Sequence, residues 1–240
     1  MNIFNLIFIF YALTFSVSIA GEEHKTISPS QSSINDHKII HRFLLITGCG
    51  RSGTLYITDL LSKCSDLKIG HEKLGKDGIC SWYLAVDSEN PPRGPLAKHL
   101  DFSHTFHQVR DPRKMIASCM LTFKTRTWKF IQESIPEINL EDSIAVRSAK
   151  YWYYWNKKAE AKAEWTYRLE DIKTLLGEFE ERLGIMIDRN AVEAISASTN
   201  TRGQTECLTW HQLKEMLPAE LYNNIVDLAI HYGYEGVDHD

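Results

Sequence analysis

The sequence has no marked excess of charge of either sign. Its 27 Lys and Arg residues nearly balance 31 Asp and Glu residues, which gives a formal net charge of −4. We therefore expect no nucleic-acid partner, because chains that bind nucleic acid non-specifically carry a basic surplus. A local basic patch could still bind a small anion, since total charge does not describe a single pocket.

Cysteine is sparse and scattered along the chain. The five residues are Cys49, Cys64, Cys80, Cys119 and Cys207, and no two of them form a CxxC pair. The spacing predicts no metal site, and the density is too low for a small disulfide-stapled binding domain. In an oxidising compartment up to two disulfides could form, with a pairing that the sequence leaves open.

Lys and Arg are absent from the first 20 residues, where an apolar run extends from residue 3 to residue 19. Ser18-Ile19-Ala20 then provides a small-x-small cleavage signal, so residues 1–20 are predicted to be a signal peptide or a single-span membrane anchor. Either places the following domain in the lumen of the secretory pathway or outside the cell. The chain has no Asn-x-Ser/Thr glycosylation site, which argues mildly against a eukaryotic secretory protein.

No internal repeat is present, and the length suits one α/β domain. Residues 21–40 are polar without apolar periodicity and are predicted to be a linker, which leaves 41–240 as the folded domain. Short apolar runs predict strands at 42–47, 67–70, 105–109 and 165–169. Helical patterns alternate with these strands, so we predict a three-layer α/β fold with a mostly parallel sheet and helices on both faces.

Glycine is concentrated where the first predicted strand ends, in Gly48-Cys49-Gly50-Arg51-Ser52-Gly53-Thr54. A strand, a glycine-rich loop and a helix direct backbone N–H groups and a helix N-terminus at an anion. Arg51 adds a charge, and Ser52 and Thr54 add hydroxyl donors. The loop is P-loop-like, but Gly53 occupies the position of the lysine in GxxxxGK[ST]. A P-loop kinase is therefore a disfavoured alternative, and no metal ligand is predicted.

A second motif follows the predicted strand at 105–109. It reads Arg110-Asp111-Pro112-Arg113, with Ser118 eight positions after Arg110. Pro112 suits the first turn of a helix, and Asp111 suits its cap. A guanidinium group offers a phosphate two N–H donors in one plane, and a hydroxyl group adds another donor.

These two motifs together resemble those of the sulfotransferase superfamily that uses 3′-phosphoadenosine-5′-phosphosulfate (PAPS). The segment Arg51–Thr54 is similar to the loop of its Golgi and tyrosylprotein branches. The resemblance implies that Gly48–Thr54 binds the 5′-phosphosulfate of PAPS. It also implies that Arg110 and Ser118 hold the 3′-phosphate, and that 3′-phosphoadenosine-5′-phosphate (PAP) is the product.

Two further segments extend the resemblance. Asn200-Thr201-Arg202-Gly203 is similar to a late basic loop that closes over the nucleotide, which adds Arg202 and Gly203 to the implied donor site. Arg168-Leu169-Glu170-Asp171 is similar to the Tyr-Glu-Asp-Leu element of the family. Here Leu169 replaces the tyrosine that implies an adenine contact, and Tyr167 is the candidate replacement.

The candidate catalytic base follows the second predicted strand, in Gly70-His71-Glu72. In the tyrosylprotein branch a Gly-x-Glu at the same distance from the loop arginine supplies this base, so the resemblance implies that Glu72 accepts the acceptor's proton. His71 is the alternative base, followed by His99 and His104. The implied reaction is an in-line, metal-free transfer in which Arg51 neutralises charge on the leaving phosphate.

The acceptor is less defined than the donor. Residues 78–87, which include Trp82, follow Glu72 and are predicted to lie on the acceptor side, whereas the aromatic run 151–155 is predicted to serve as core or lid. The acceptor could be a carbohydrate, a tyrosine or another small hydroxyl or amine compound. A non-catalytic nucleotide-binding protein, which would bind PAP without turnover, is the alternative from another class.

Overall fold

Five parallel strands form one sheet in the part of the chain that the computed structural model describes, residues 39–88, 99–195 and 206–235. The strands are β1 Ile40–Gly48, β2 Ile69–His71, β3 Gly78–Cys80, β4 Leu100–Val109 and β5 Trp165–Arg168. Their order across the sheet is β2-β3-β1-β4-β5, and every neighbouring pair is parallel. The α/β fold with a parallel sheet is therefore confirmed.

Helices connect the strands and cover both faces of the sheet. They are α1 Thr54–Cys64, α2 Pro112–Thr122, α3 Thr125–Ser134, α4 Ile144–Glu160, α5 Leu176–Leu183, α6 Arg189–Ala194, α7 Trp210–Met216 and α8 Ala219–His231. Short 3₁₀ helices, Trp82–Ala85 and Leu169–Asp171, follow β3 and β5. As predicted, Pro112 opens α2, and the Asp111 side chain caps it by accepting a hydrogen bond from the Arg113 N–H group.

Two hydrophobic cores lie on opposite faces of the sheet. Side chains of β1 alternate between them, because successive residues of a strand point to opposite sides. Leu45 belongs to the core that contains Trp152 and Trp155 of α4. Leu44 and Ile46 belong to the core that contains side chains of α1 and α5. The sheet between two helical layers is the predicted three-layer arrangement.

The carboxyl ends of the strands meet at one edge, since all the strands are parallel. The register pairs Gly48 with Gln108 at the ends of β1 and β4, and His71 with Cys80 at the ends of β2 and β3. The chain leaves β1 toward β2 and later returns on the other side of β1 as β4. The β1–β4 boundary is therefore a topological switch point, the place where open α/β sheets bind ligands.

Several predicted features lie outside the described residues. The predicted signal peptide or anchor at 1–20 does so, as does all of the predicted linker except its last two residues, and β1 already begins at Ile40. Within the described ranges, no helix combines the length and apolar character needed to cross a membrane. All five cysteines are free thiols, four of them buried and Cys207 exposed.

Candidate active site

Two glycines shape the turn from β1 into α1. Gly48 has a φ of 154°, and a Cβ atom there would lie 2.1 Å from the carbonyl oxygen of Gln108. Only glycine lets the two backbones approach so closely. Gly53, with a φ of 80°, is in the left-handed region, and α1 begins at the next residue. The chain can thus leave the strand and enter the helix within a few residues.

The N-terminus of α1 is open to an anion. The helix has 11 residues, its first turn contains no acidic residue, and no side chain caps it. The first N–H groups of a helix have no intrahelical acceptor and carry partial positive charge. The Thr54 hydroxyl lies at this same end of the helix. These features are typical of a phosphate-binding helix terminus.

Buried polar side chains form hydrogen bonds with the backbone of the loop. The Gly50 N–H group donates to the Tyr151 hydroxyl at 2.7 Å, and the Gln108 amide donates to the Ser52 carbonyl oxygen. Gln108 is itself held by the Tyr167 hydroxyl, which donates to its Oε1 at 2.8 Å. Neither Tyr151 nor Gln108 was predicted as a support of the loop. A glutamine at the end of an otherwise apolar strand was the available signal for Gln108.

The Tyr167 hydroxyl is therefore already engaged, and its side chain is only 3% exposed. The structure does not bear out Tyr167 as a replacement for the adenine contact, because the ring belongs to the core beneath the loop. Leu169 instead packs on the loop itself. A Cβ atom added at Gly53 would lie 2.6 Å from the Leu169 Cδ1 atom.

Ser52 is fully buried within the loop. Its N–H group donates to the Cys49 carbonyl oxygen at 3.2 Å. Its hydroxyl group is buried and has no hydrogen-bond partner among the described residues. An unpaired buried hydroxyl is costly, so Ser52 is a polar group that a bound ligand could satisfy.

Arg51 and Arg110 lie side by side at the switch point. Arg110 donates from Nη1 to the carbonyl oxygen of Arg51 at 2.8 Å, and Arg51 donates from Nε to the Ser118 hydroxyl at 3.0 Å. Burial raises the pKa of the nearby Cys119 thiol, and both guanidinium groups oppose that rise. The residues predicted for the 5′ and 3′ ends of the nucleotide thus form one cationic cluster.

Glu72 directly follows β2 and is held at the same edge by the residues that follow β3. Its Oε2 atom accepts a hydrogen bond from the Ser81 hydroxyl at 2.5 Å, and its Oε1 atom accepts one from the Trp82 N–H group at 3.4 Å. The residue is 6% exposed, and its φ of 51° is unusual for a residue with a side chain. The fold therefore fixes this carboxylate in a single shielded position.

His71 lies near both the loop and the carboxylate. Its Nε2 atom lies 3.1 Å from the Thr54 hydroxyl oxygen and 3.9 Å from Oε1 of Glu72, and its side chain is 31% exposed. The structure places the alternative bases His99 and His104 away from this edge. His104 lies four residues before Gln108 on β4, about 13 Å from the edge at strand spacing, and His99 precedes the strand.

Aromatic side chains border the loop on the side of Glu72. A Cβ atom at Gly50 would lie 3.2 Å from Phe123 Cζ, 3.3 Å from the Tyr151 hydroxyl oxygen and 3.4 Å from Trp82 Cγ. Trp82 and Phe123 are partly buried, and their ring centroids lie 6.3 Å apart. Fully buried members of the aromatic run, such as Trp155, confirm its predicted role as core.

Two predicted donor residues, Arg202 and Gly203, lie outside the described residues. In the described ranges, no group of three or more His, Cys, Asp or Glu side chains is arranged to hold a metal ion. The described site consists of arginines, hydroxyl groups and a helix N-terminus, with the Glu72 carboxylate at the same edge of the sheet.

No family model matches the sequence, and no curated protein matches it. A solved structure does match, described as the sulfotransferase domain from the curacin biosynthetic pathway. The two chains superpose with a TM-score of 0.50 and 12% identity, over 83% of this chain and 100% of that domain. The chain shares the fold of a sulfotransferase domain. At this identity the likeness concerns the fold, so the role of each site residue has to follow from the geometry of the site itself.

Proposed function

We propose that this protein is a PAPS-dependent sulfotransferase that transfers a sulfuryl group to a hydroxyl or amine acceptor. The observation that carries the proposal is the cluster of Arg51, Arg110 and Ser118 beside the N-terminus of α1, with Glu72 at the same sheet edge. The fold shared with a sulfotransferase domain supports it.

The chemistry of the cluster fits the proposed donor. PAPS carries one phosphate at the 3′ position and a phosphosulfate at the 5′ position, so it needs two cationic subsites within one nucleotide's reach. Arg51 belongs to the loop after β1, and Arg110 follows the neighbouring strand β4. Both present N–H donors in a fixed plane, the geometry that suits phosphate. Ser118 and the α1 terminus add further donors.

The side chains of the site have separate roles in the proposed reaction. Glu72 takes the proton of the acceptor hydroxyl as the acceptor oxygen bonds to sulfur. The bond between sulfur and the bridging phosphate oxygen breaks, and PAP leaves with that electron pair. Arg51 and the N-terminus of α1 neutralise the charge that develops on this phosphate. Positioning and electrostatics then supply the catalysis, as they do in phosphoryl transfer.

The partly buried residues Trp82, whose N–H group contacts Glu72, and Phe123, whose ring lies beside that of Trp82, support an acceptor side next to Glu72. Their faces would suit a carbohydrate or phenolic acceptor, including a tyrosine. We further propose that the protein acts in the secretory pathway, with residues 1–20 as its signal peptide or membrane anchor.

The test incubates the purified 240-residue chain with sulfur-labelled PAPS and a panel of carbohydrates, tyrosine peptides and phenols. PAP affinity is measured in parallel by calorimetry, which needs no acceptor. Arg51→Ala should weaken PAP binding about tenfold to a hundredfold, because it removes a charge-assisted contact. Glu72→Gln should keep PAP binding and lose transfer by about a hundredfold or more, because it removes the base.

Matched controls lie far along the chain from the loop. Glu178→Gln and Arg189→Ala change exposed side chains on α5 and α6, and neither should alter PAP affinity or transfer. Transfer by Glu72→Gln at the wild-type rate would remove the proposed base. PAP binding without transfer to any acceptor would favour the non-catalytic nucleotide-binding alternative, and magnesium-dependent consumption of ATP would favour a kinase.

A further inference from the structure

We propose that His71 is a positioning residue that turns the Thr54 hydroxyl toward the phosphate of the donor. The inference rests on the proposed function, since it assigns a role within the same donor site. This role of His71 differs from that of a base. The contact connects the donor loop to β2, the strand that directly precedes Glu72.

The contact joins two rigid elements. Thr54 is the first residue of α1, is 8% exposed, and accepts a hydrogen bond from the Thr58 hydroxyl at its carbonyl oxygen. His71 is the last residue of β2 and pairs with Cys80 of β3. The distance of 3.1 Å from His71 Nε2 to Thr54 Oγ1 is therefore set by the helix and the sheet.

The single proton of the threonine hydroxyl decides what the contact does. If Thr54 donates to Nε2, only its lone pairs are left for an incoming phosphate, whose oxygens can only accept hydrogen bonds. If the proton is on Nε2 of His71, the imidazole donates to Thr54, and the hydroxyl proton is available for the phosphate. A bound anion at the α1 terminus therefore selects the second arrangement.

Glu72 favours the same arrangement before any ligand binds. Its Oε1 atom lies 3.9 Å from Nε2 of His71, beyond hydrogen-bond range but close enough for its charge to favour a proton on that nitrogen. In the proposed arrangement, His71 donates to the Thr54 hydroxyl and Thr54 donates to the donor phosphate. The acceptor's proton still goes to Glu72.

A double-mutant cycle on PAP affinity tests the chain in the full-length protein. His71→Leu and Thr54→Val each remove one link and should each weaken PAP binding about tenfold, the usual effect of one such hydrogen bond. The double variant should bind no more weakly than Thr54→Val alone, because His71 acts through that hydroxyl. His71→Gln should restore most of the affinity, since its amide N–H can replace Nε2–H.

The outcomes separate this inference from the proposed function. If the losses of PAP affinity in the two single variants multiply to about a hundredfold in the double variant, the inference is overturned. It is also overturned if His71→Gln binds PAP as weakly as His71→Leu. If His71→Leu does not fold, His71→Asn takes its place in the cycle, because the shorter amide cannot reach Thr54. PAP binding by the wild type together with an additive cycle rejects the inference alone. Failure of the wild type to bind PAP rejects both proposals.

Discussion

Arg110 holds the main chain of Arg51, through a hydrogen bond of 2.8 Å between residues that are 59 positions apart. The bond ties the loop after β1 to the end of β4. One arginine therefore has two tasks in the proposed site, since it offers charge to a phosphate and fixes the backbone from which the other arginine extends. The tasks can be separated by the choice of substitution.

Arg110→Ala removes both the charge and the bond to the loop, and we expect PAP affinity to fall at least about a hundredfold. Arg110→Lys keeps the charge without the planar set of donors, so a loss of about tenfold is expected. Ser118→Ala removes one neutral donor and should cost less than tenfold. Calorimetric titration with PAP measures all three. An Arg110→Ala variant within threefold of wild type would contradict the two-phosphate cluster.

Gly48→Ala should destabilise the protein by about 3 kcal/mol or more, because the new methyl group meets the backbone of Gln108. Gly177→Ala is the matched control. A Cβ atom at that position of α5 has nothing within 4 Å, so the change should stabilise by about 0.5 kcal/mol or slightly more. Urea unfolding of the two variants beside wild type checks the opposite signs. Equal effects would show that the close approach at Gly48 is unimportant.

The left-handed backbone at Glu72 can be tested by comparing two variants that both lack the carboxylate. Glu72→Gly should be more stable than Glu72→Ala by about 1 kcal/mol, because only alanine keeps the strain of a φ of 51°. At Glu178, in the right-handed helix α5, the order should reverse by about the same amount. Chemical unfolding measures both differences. The same order at both positions would contradict the claim of strain.

Because His107 is buried, we expect the protein to become less stable in mild acid. It is fully buried in β4, and burial lowers its pKa from 6.5 to about 4. The folded state therefore stays neutral at pH values where the unfolded state already binds a proton. The contribution of neutral His107 to the free energy of unfolding is fully present above about pH 6.5. It is lost as the pH falls toward 4, and the free energy of unfolding then falls by about 3 kcal/mol in total.

The measurement for His107 is the free energy of unfolding between about pH 4 and 8, for wild type and His107→Gln. The variant lacks the titrating group, so the difference between the two curves should shrink as the pH falls below about 6.5. Its amide can still meet Asn156, which lies 3.1 Å from Nε2 in the wild type. Parallel curves across this range would contradict the role of His107.

The sequence pattern predicted much of the fold because its strongest signals are local. Apolar runs locate β1 and β4, and Pro112 and Asp111 locate the start of α2. Because parallel strands end at one edge, the sequence alone leads us to expect that the two motifs meet there. Strand β3 was not predicted, since a three-residue strand has too few side chains to show a period.

Contacts over long sequence distances account for most of what the sequence could not predict. Tyr151 supports Gly50 across 101 positions, and nothing local to either residue indicates this bond. Thr58 is a polar residue that is nevertheless buried on α1, where its hydroxyl bonds to the carbonyl oxygen of Thr54 within the helix. The backbone angle of Glu72 likewise follows from its place between β2 and the neighbouring strand.

The position of β1 at the centre of the sheet affects the order in which the protein can form. This strand is made early in translation, but both of its neighbours, β3 and β4, come later in the chain. The hydrogen bonds of Arg51 with Arg110 and Ser118, and that of Gly50 with Tyr151, can form only after the later residues have been synthesised. Pairings of this kind form slowly, because a long loop must close before each is made. The loop that we propose to bind the donor therefore gains these supports only after the chain has been synthesised as far as Tyr151.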